Sequence, residues 1–210
     1  MTCLSILRGR RLAPLLAALA LAGCASAPMH YYTLIAPAAA AAPAAVSPGL
    51  AFELLPVSVP AQVDQPQLVI RQGGQGVALL NGERWIAPLG DEIRGALSAD
   101  LAQALGRPDV SGLAHGSKRV ARIKVDVRRF DSQPGGYALL EAAWSVRLLG
   151  GSEADTGQVL SCTSRFMQPI SGSGYDALVR GHQQALGKLA EQVAAAVRGL
   201  AGGSAHCPGA

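Results

Sequence analysis

The chain of 210 residues predicts an α+β fold, in which two helices pack on one face of a mixed, largely antiparallel sheet. Three observations lead there. Two segments, near residues 89–105 and 175–200, repeat apolar residues at helical spacing. Others alternate apolar and polar residues, the mark of strands with one buried face. The order is runs of strands interrupted by two helices, which segregates the helices instead of wrapping them around a parallel sheet.

Residues 29–35, with His30, Tyr31, Tyr32, Thr33 and Ile35, have the aromatic and β-branched content of a first strand. Residues 36–49 form an uncharged Ala/Pro stretch in which Pro37, Pro43 and Pro48 exclude helix, so it reads as an extended connection. The second strand covers 51–59 and stops at Pro60, and the third covers 67–71. Residues 77–80 and 84–86 flank Asn81-Gly82, a pair suited to a tight hairpin turn because both tolerate positive φ.

Pro88 opens the first helix, with Leu89, Ile93, Leu97, Leu101 and Leu105 at every fourth position and Gly106 and Pro108 closing it. Three long strands follow over 121–127, 137–149 and 158–167, the last two holding Trp144 and Cys162. Gln133-Pro134-Gly135-Gly136 and Gly150-Gly151-Ser152 connect them, so they pair antiparallel. The last helix runs over 175–200, with Ser173 and Asp176 at capping-box spacing. Its apolar stripe (Leu178, Leu186, Leu189, Val193, Val197) is near-heptad, but flanking charges of a coiled coil are missing and packing on the sheet is the better reading.

The N-terminus carries an address. Arg8, Arg10 and Arg11 precede an apolar stretch from Leu12 to Ala22, the order of a signal peptide over residues 1–23. It ends in Leu21-Ala22-Gly23-Cys24, which resembles the bacterial lipobox; that resemblance implies that Cys24 is acylated and becomes the first mature residue. A membrane span needs about 20 apolar residues, and this stretch is interrupted by Pro14, Gly23, Ser26 and Pro28. Retention in the inner membrane usually goes with aspartate after the lipidated cysteine; Ala25 stands here, so the expected location is the outer membrane, facing the periplasm. Residues 24–28 form a short leash, 29–200 a single domain and 201–210 a tail.

Charge excludes one class of function. Three of the 18 lysines and arginines lie in the first 23 residues, and 14 acids oppose the rest, so the mature chain is near neutral. With 4% aromatics as well, it lacks the electrostatic footprint of a nucleic-acid binder. After Cys3 is discarded and Cys24 acylated, Cys162 and Cys207 remain, an even pair in an oxidising compartment. Parity favours a bridge between them; the alternative is two unpaired thiols.

Catalytic signals fail one by one. Arg71-Gln72-Gly73-Gly74-Gln75-Gly76 leads into a strand, not into the helix N-terminus that a phosphate loop requires. Ser171-Gly172-Ser173-Gly174 lacks the nucleophile elbow. His30, His115, His182 and His206 show no metal-ligand spacing, and His182 falls on the apolar side of its helix. No metal or cofactor is expected beyond the lipid on Cys24, and no catalysis.

Tyr31-Tyr32-x-Leu34, Val57-x-Val59-Pro60, Asp64-Gln65-Pro66-Gln67-Leu68-Val69-x-Arg71 and Glu83-Arg84-Trp85 followed by Pro88-Leu89 resemble the ABC-type transport auxiliary lipoproteins of the PqiC type. The likeness spans residues 24 to about 200 in element order. Ile86-Ala87 stands where Ala-Glu is commoner. Such lipoproteins work with MCE-domain proteins that form lipid tunnels across the periplasm, so the resemblance implies an outer-membrane docking or capping subunit for intermembrane lipid transport, with a homo-oligomer left open. Arg84 and Trp85 are the interface residues to test first, although Trp85 also suits a core position. A lipopolysaccharide-export or secretin-pilot lipoprotein is the alternative, since it would share the anchor and a small α+β domain.

Overall fold

The alternation of Val125 and Val127 with Lys124 and Asp126 buries the apolar side chains and leaves the charged ones outside, and it builds the longest strand of the protein. In the computed structural model, which describes residues 28–37, 50–114, 116–151, 158–172, 174–204 and 206–207, the elements run β1 His30–Tyr32, β2 Ala51–Leu54, β3 Gln67–Arg71, β4 Val77–Trp85, α1 Leu89–Leu105, β5 Val120–Gln133, β6 Tyr137–Leu149, β7 Val159–Pro169 and α2 Tyr175–Ala201. The class is α+β, as the patterning implies, but the strands divide into two sheets. A four-stranded sheet has the order β2-β5-β6-β7 and a three-stranded one the order β1-β4-β3. In each, one parallel pair, β2 with β5 and β1 with β4, accompanies antiparallel neighbours.

Periodicity identifies strands but not their partners. The second strand ends at Leu54 instead of continuing to Val59; Leu55 N–H still donates to Ile123 O, and past Pro56 only Ser58 makes a further bridge, to Asp126. The first strand is likewise shorter than expected, since Thr33 and Leu34 leave the ladder to bond a side chain of α1.

Asn81-Gly82 is not a turn. Both residues lie inside β4, and neither has positive φ. The reversal comes earlier, at Gln72–Gly76, where Gly73 and Gly74 have φ of 90° and 54° and Gln72 N–H donates to Gly76 O at 3.1 Å. Two adjacent glycines supply the left-handed backbone without a Cβ penalty. Asn81-Gly82 instead sits where the register slips, with Gln67 opposite Arg84 but Leu68 opposite Leu80. It serves a bulge.

Both helices cover one face of the larger sheet. Trp144 of β6 donates its indole N–H to Ser164 Oγ of β7 at 2.9 Å, and that hydroxyl donates to Gln192 Oε1 of α2 at 2.6 Å. Leu186, Leu189, Val193 and Val197 of α2 are buried with Ile93, Leu97 and Leu101 of α1 in the main core, so the stripe packs on the sheet and on α1. Gly174 occupies the N-cap of α2 with no side-chain cap bond; Ser173 lies outside the described residues. Gly106 closes α1 in the left-handed conformation.

The smaller sheet sits over the β5–β6 hairpin. Trp85 meets Phe130 of β5 edge to face at 6.1 Å, and Arg71 pairs with Asp131 at 3.2 Å. Ile70 packs with Ala138, Ile170 and Leu178.

Candidate functional site

The end of β4 is tied down from both sides. Trp85 N–H donates to Pro66 O and Ile86 N–H to Tyr32 O, each at 2.9 Å. Pro88 O then accepts from Asp91 and Glu92 N–H and starts α1. On the other side a turn on Pro60, whose carbonyl accepts from Val63 and Asp64 N–H, brings Asp64-Gln65-Pro66 alongside. These two segments enclose an open cavity of about 370 Å³ lined by Asp64, Gln65, Pro66, Trp85, Ile86, Ala87 and Pro88.

The walls are mostly apolar. Trp85 is buried in the core and lines the cavity, whereas Ile86 is 61% exposed beside it. Asp64 is the lone ionisable side chain of the lining. Among the described residues no group of His, Cys, Asp and Glu is arranged to hold a metal ion. A cavity of this size and polarity is suited to an apolar side chain or acyl group.

A polar frame fixes the neighbouring strand. Tyr32 donates its hydroxyl to Glu83 Oε2 at 2.6 Å, and His30 Nδ1 lies 2.9 Å from Glu83 Oε1. Burial raises the Glu83 carboxyl, but the hydrogen bonds from Tyr32 and His30 outweigh it and hold the group below the ordinary carboxylate range. Burial, with the same contact added to it, pushes the Tyr32 phenol up. One turn into α1, the buried Glu92 accepts from Thr33 Oγ1 and from Leu34 N–H, both at 2.8 Å. The chain that follows β1 is thus clamped onto the helix that borders the cavity.

The residues singled out from sequence do not converge. Arg84 projects from the opposite side of the small sheet to Trp85 and donates Nε–H to Asn81 O at 3.4 Å, so the two cannot form one patch. The sulfurs of Cys162 and Cys207 stand 1.97 Å apart and their Cα atoms 5.6 Å, which joins the C-terminal tail to β7. Cys24 lies outside the described residues. Glu83 stands in the Glu83-Arg84-Trp85 motif and Ile86 in the departure from Ala-Glu, but neither pattern gives the role seen here, and Glu92 has no signal in the sequence.

Residues 32–194 match the family described as the ABC-type transport auxiliary lipoprotein component. The chain belongs to this family. No curated protein matches the auxiliary lipoprotein's sequence. Its fold is similar to the crystal structure of an uncharacterized protein, with a TM-score of 0.62, 18% identity and coverage of 80% of this chain and 98% of that one. It is also similar to a Xanthomonas campestris protein of the DUF330 family, with a TM-score of 0.51, 18% identity and coverage of 73% and 85%. At such identity the likeness concerns fold alone. The auxiliary lipoprotein has no helix, among its described residues, long and apolar enough to cross a membrane.

Proposed function

We propose that the auxiliary lipoprotein is acylated at Cys24, held on the outer membrane facing the periplasm, and docks or caps the tunnel of an MCE-type lipid transport system. The observation that carries this reading is the family match over residues 32–194. Two of the motifs that bear the resemblance, Asp64-Gln65-Pro66 and the segment from Trp85 to Pro88, line the same cavity. With Ile86 exposed on its rim, the cavity offers an apolar docking point on a framework that the Glu83 and Glu92 bonds hold in place. The reading is non-catalytic: the cavity has one carboxylate and no partner base.

The test is a pull-down of the intact lipoprotein from native membranes. An MCE-domain protein should be enriched, and Ile86→Asp should reduce its recovery while leaving the fold intact by circular dichroism. Enrichment of a lipopolysaccharide-export barrel or a secretin, with MCE protein absent, would replace this reading with an assembly role.

A further inference from the structure

The three-stranded sheet buries one face and leaves the other open. Tyr32, Leu68, Leu80 and Trp85 turn toward the core. On the opposite side Met29, Tyr31, Val77 and Leu79 are 45%, 56%, 54% and 48% exposed. Side chains two apart on an extended chain share a face, which pairs Met29 with Tyr31 on β1 and its lead-in, and Val77 with Leu79 on β4. Register puts Arg84 beside Tyr31. An exposed apolar patch of large side chains marks a contact surface.

Arg71, opposite Val77 in register, is paired with Asp131 of β5, and the strands of the sheet themselves put no acid on this face. β1 and β3 contain no acid, and Glu83, the acid of β4, is turned to the other side by its bonds with Tyr32 and His30. Arg84 has no carboxylate partner among the described residues; its guanidinium bonds a backbone carbonyl. An aromatic hydroxyl, a methionine, two aliphatic side chains and an arginine are the set that settles at a bilayer interface, where Tyr takes the headgroup level and Arg keeps its charge among phosphates.

The chain that leads back to the anchor starts from this same sheet. Pro28 O lies against Gly82 of β4. Because β1 runs parallel to β4, the chain traced backwards from His30 heads toward Leu79 and Val77. Cys24 is four residues before Pro28, a length of chain that spans at most about 14 Å. We infer that the open face of the three-stranded sheet rests on the lipid surface that holds the acyl chains, with Tyr31, Val77 and Leu79 at the headgroup level. The inference rests on acylation at Cys24. It orients the domain, since the β1-β4-β3 sheet then lies between the membrane and the larger sheet.

Spin labels test it. The full lipoprotein, carrying Val77→Cys, Leu79→Cys or, as a control on β7, Met167→Cys, is reconstituted in phosphatidylethanolamine and phosphatidylglycerol liposomes and labelled with a nitroxide. The labels at 77 and 79 should show a severalfold higher ratio of oxygen to water-soluble nickel collisions than the label at 167, and adding Leu79→Asp should abolish the difference at 77. Equal access at all three positions would overturn the inference. So would shielding from both reagents, which a bound protein or a second copy would produce. The intact mass of the purified chain reports acylation separately, which distinguishes loss of the contact from loss of the anchor.

Discussion

His182 lies at the junction of the two sheets, its ring stacked 3.8 Å from that of Phe130 and its Nε2 2.8 Å from Ser132 Oγ. Burial pushes its pKa down to about 3, against a smaller opposing pull from Asp131. The folded protein therefore keeps this imidazole neutral while the unfolded chain protonates it near its ordinary value of 6.5. Stability from the neutral ring is fully present above pH 6.5 and falls as pH drops toward 3, because the unfolded state then binds a proton that the folded one refuses. Unfolding midpoints measured in urea between pH 7.5 and pH 5 should decline, and His182→Gln should flatten that decline. A decline unchanged in the variant would assign the effect to other groups. From sequence His182 reads as a core histidine, but its stacking partner is 52 positions away and has no sequence signal.

At the scale of elements, α2 lies tight against β6 at Gly181, where an added Cβ would lie 2.4 Å from Ile170 Cδ1 and 3.0 Å from Ala138 Cβ. A valine there must push the helix from the sheet, and overpacking of this kind costs about 1–3 kcal/mol. Gly181→Val should lower the urea midpoint accordingly, whereas Gly187→Ala, whose added Cβ has only Asp100 at 3.9 Å, should not. Behind α2, the Cys162–Cys207 bridge spans a sequence separation of 45, and closing such a loop stabilises by about 4 kcal/mol in the chain-entropy account. Cys207→Ser should cost a comparable amount by chemical denaturation. Thiol mapping without reductant should find neither cysteine free in the native protein; two free thiols would remove the bridge from the fold.

For the whole molecule, a near-neutral domain with a polar sheet face, an apolar cavity beside Ile86 and an open small sheet is built for contact. The cavity beside Ile86 and the open face of β4 belong to neighbouring parts of one strand, so docking and membrane contact would be mechanically joined through β4. On the proposed reading, an anchor at Cys24 is the condition for both. Cys24→Ser should abolish palmitate labelling and leave unprocessed precursor, since serine lacks the thiol to which the lipid is joined; label that persists in the variant would place the lipid elsewhere.

Periodicity alone determined the number and type of long elements, because helices and strands bury residues at fixed spacings whatever they pack against. The apolar stripes of α1 and α2 and the alternation of β5, β6 and β7 are visible in this way, as are the lipobox and the family motifs from Tyr31 to Leu89. Tertiary structure decided the partners. Asn81-Gly82 has the composition of a turn, yet Gly73-Gly74 makes the reversal, because a turn forms where the flanking strands can pair in register and not wherever the residues permit one. Glu92 looks like an ordinary helix-surface acid; it is buried because Thr33 and Leu34, 58 or more positions earlier, fold over it. Trp85 and Arg84 are adjacent in sequence but face opposite ways, since successive strand residues alternate sides, and which side met Phe130 and which met solvent was settled only when the small sheet packed on the large one.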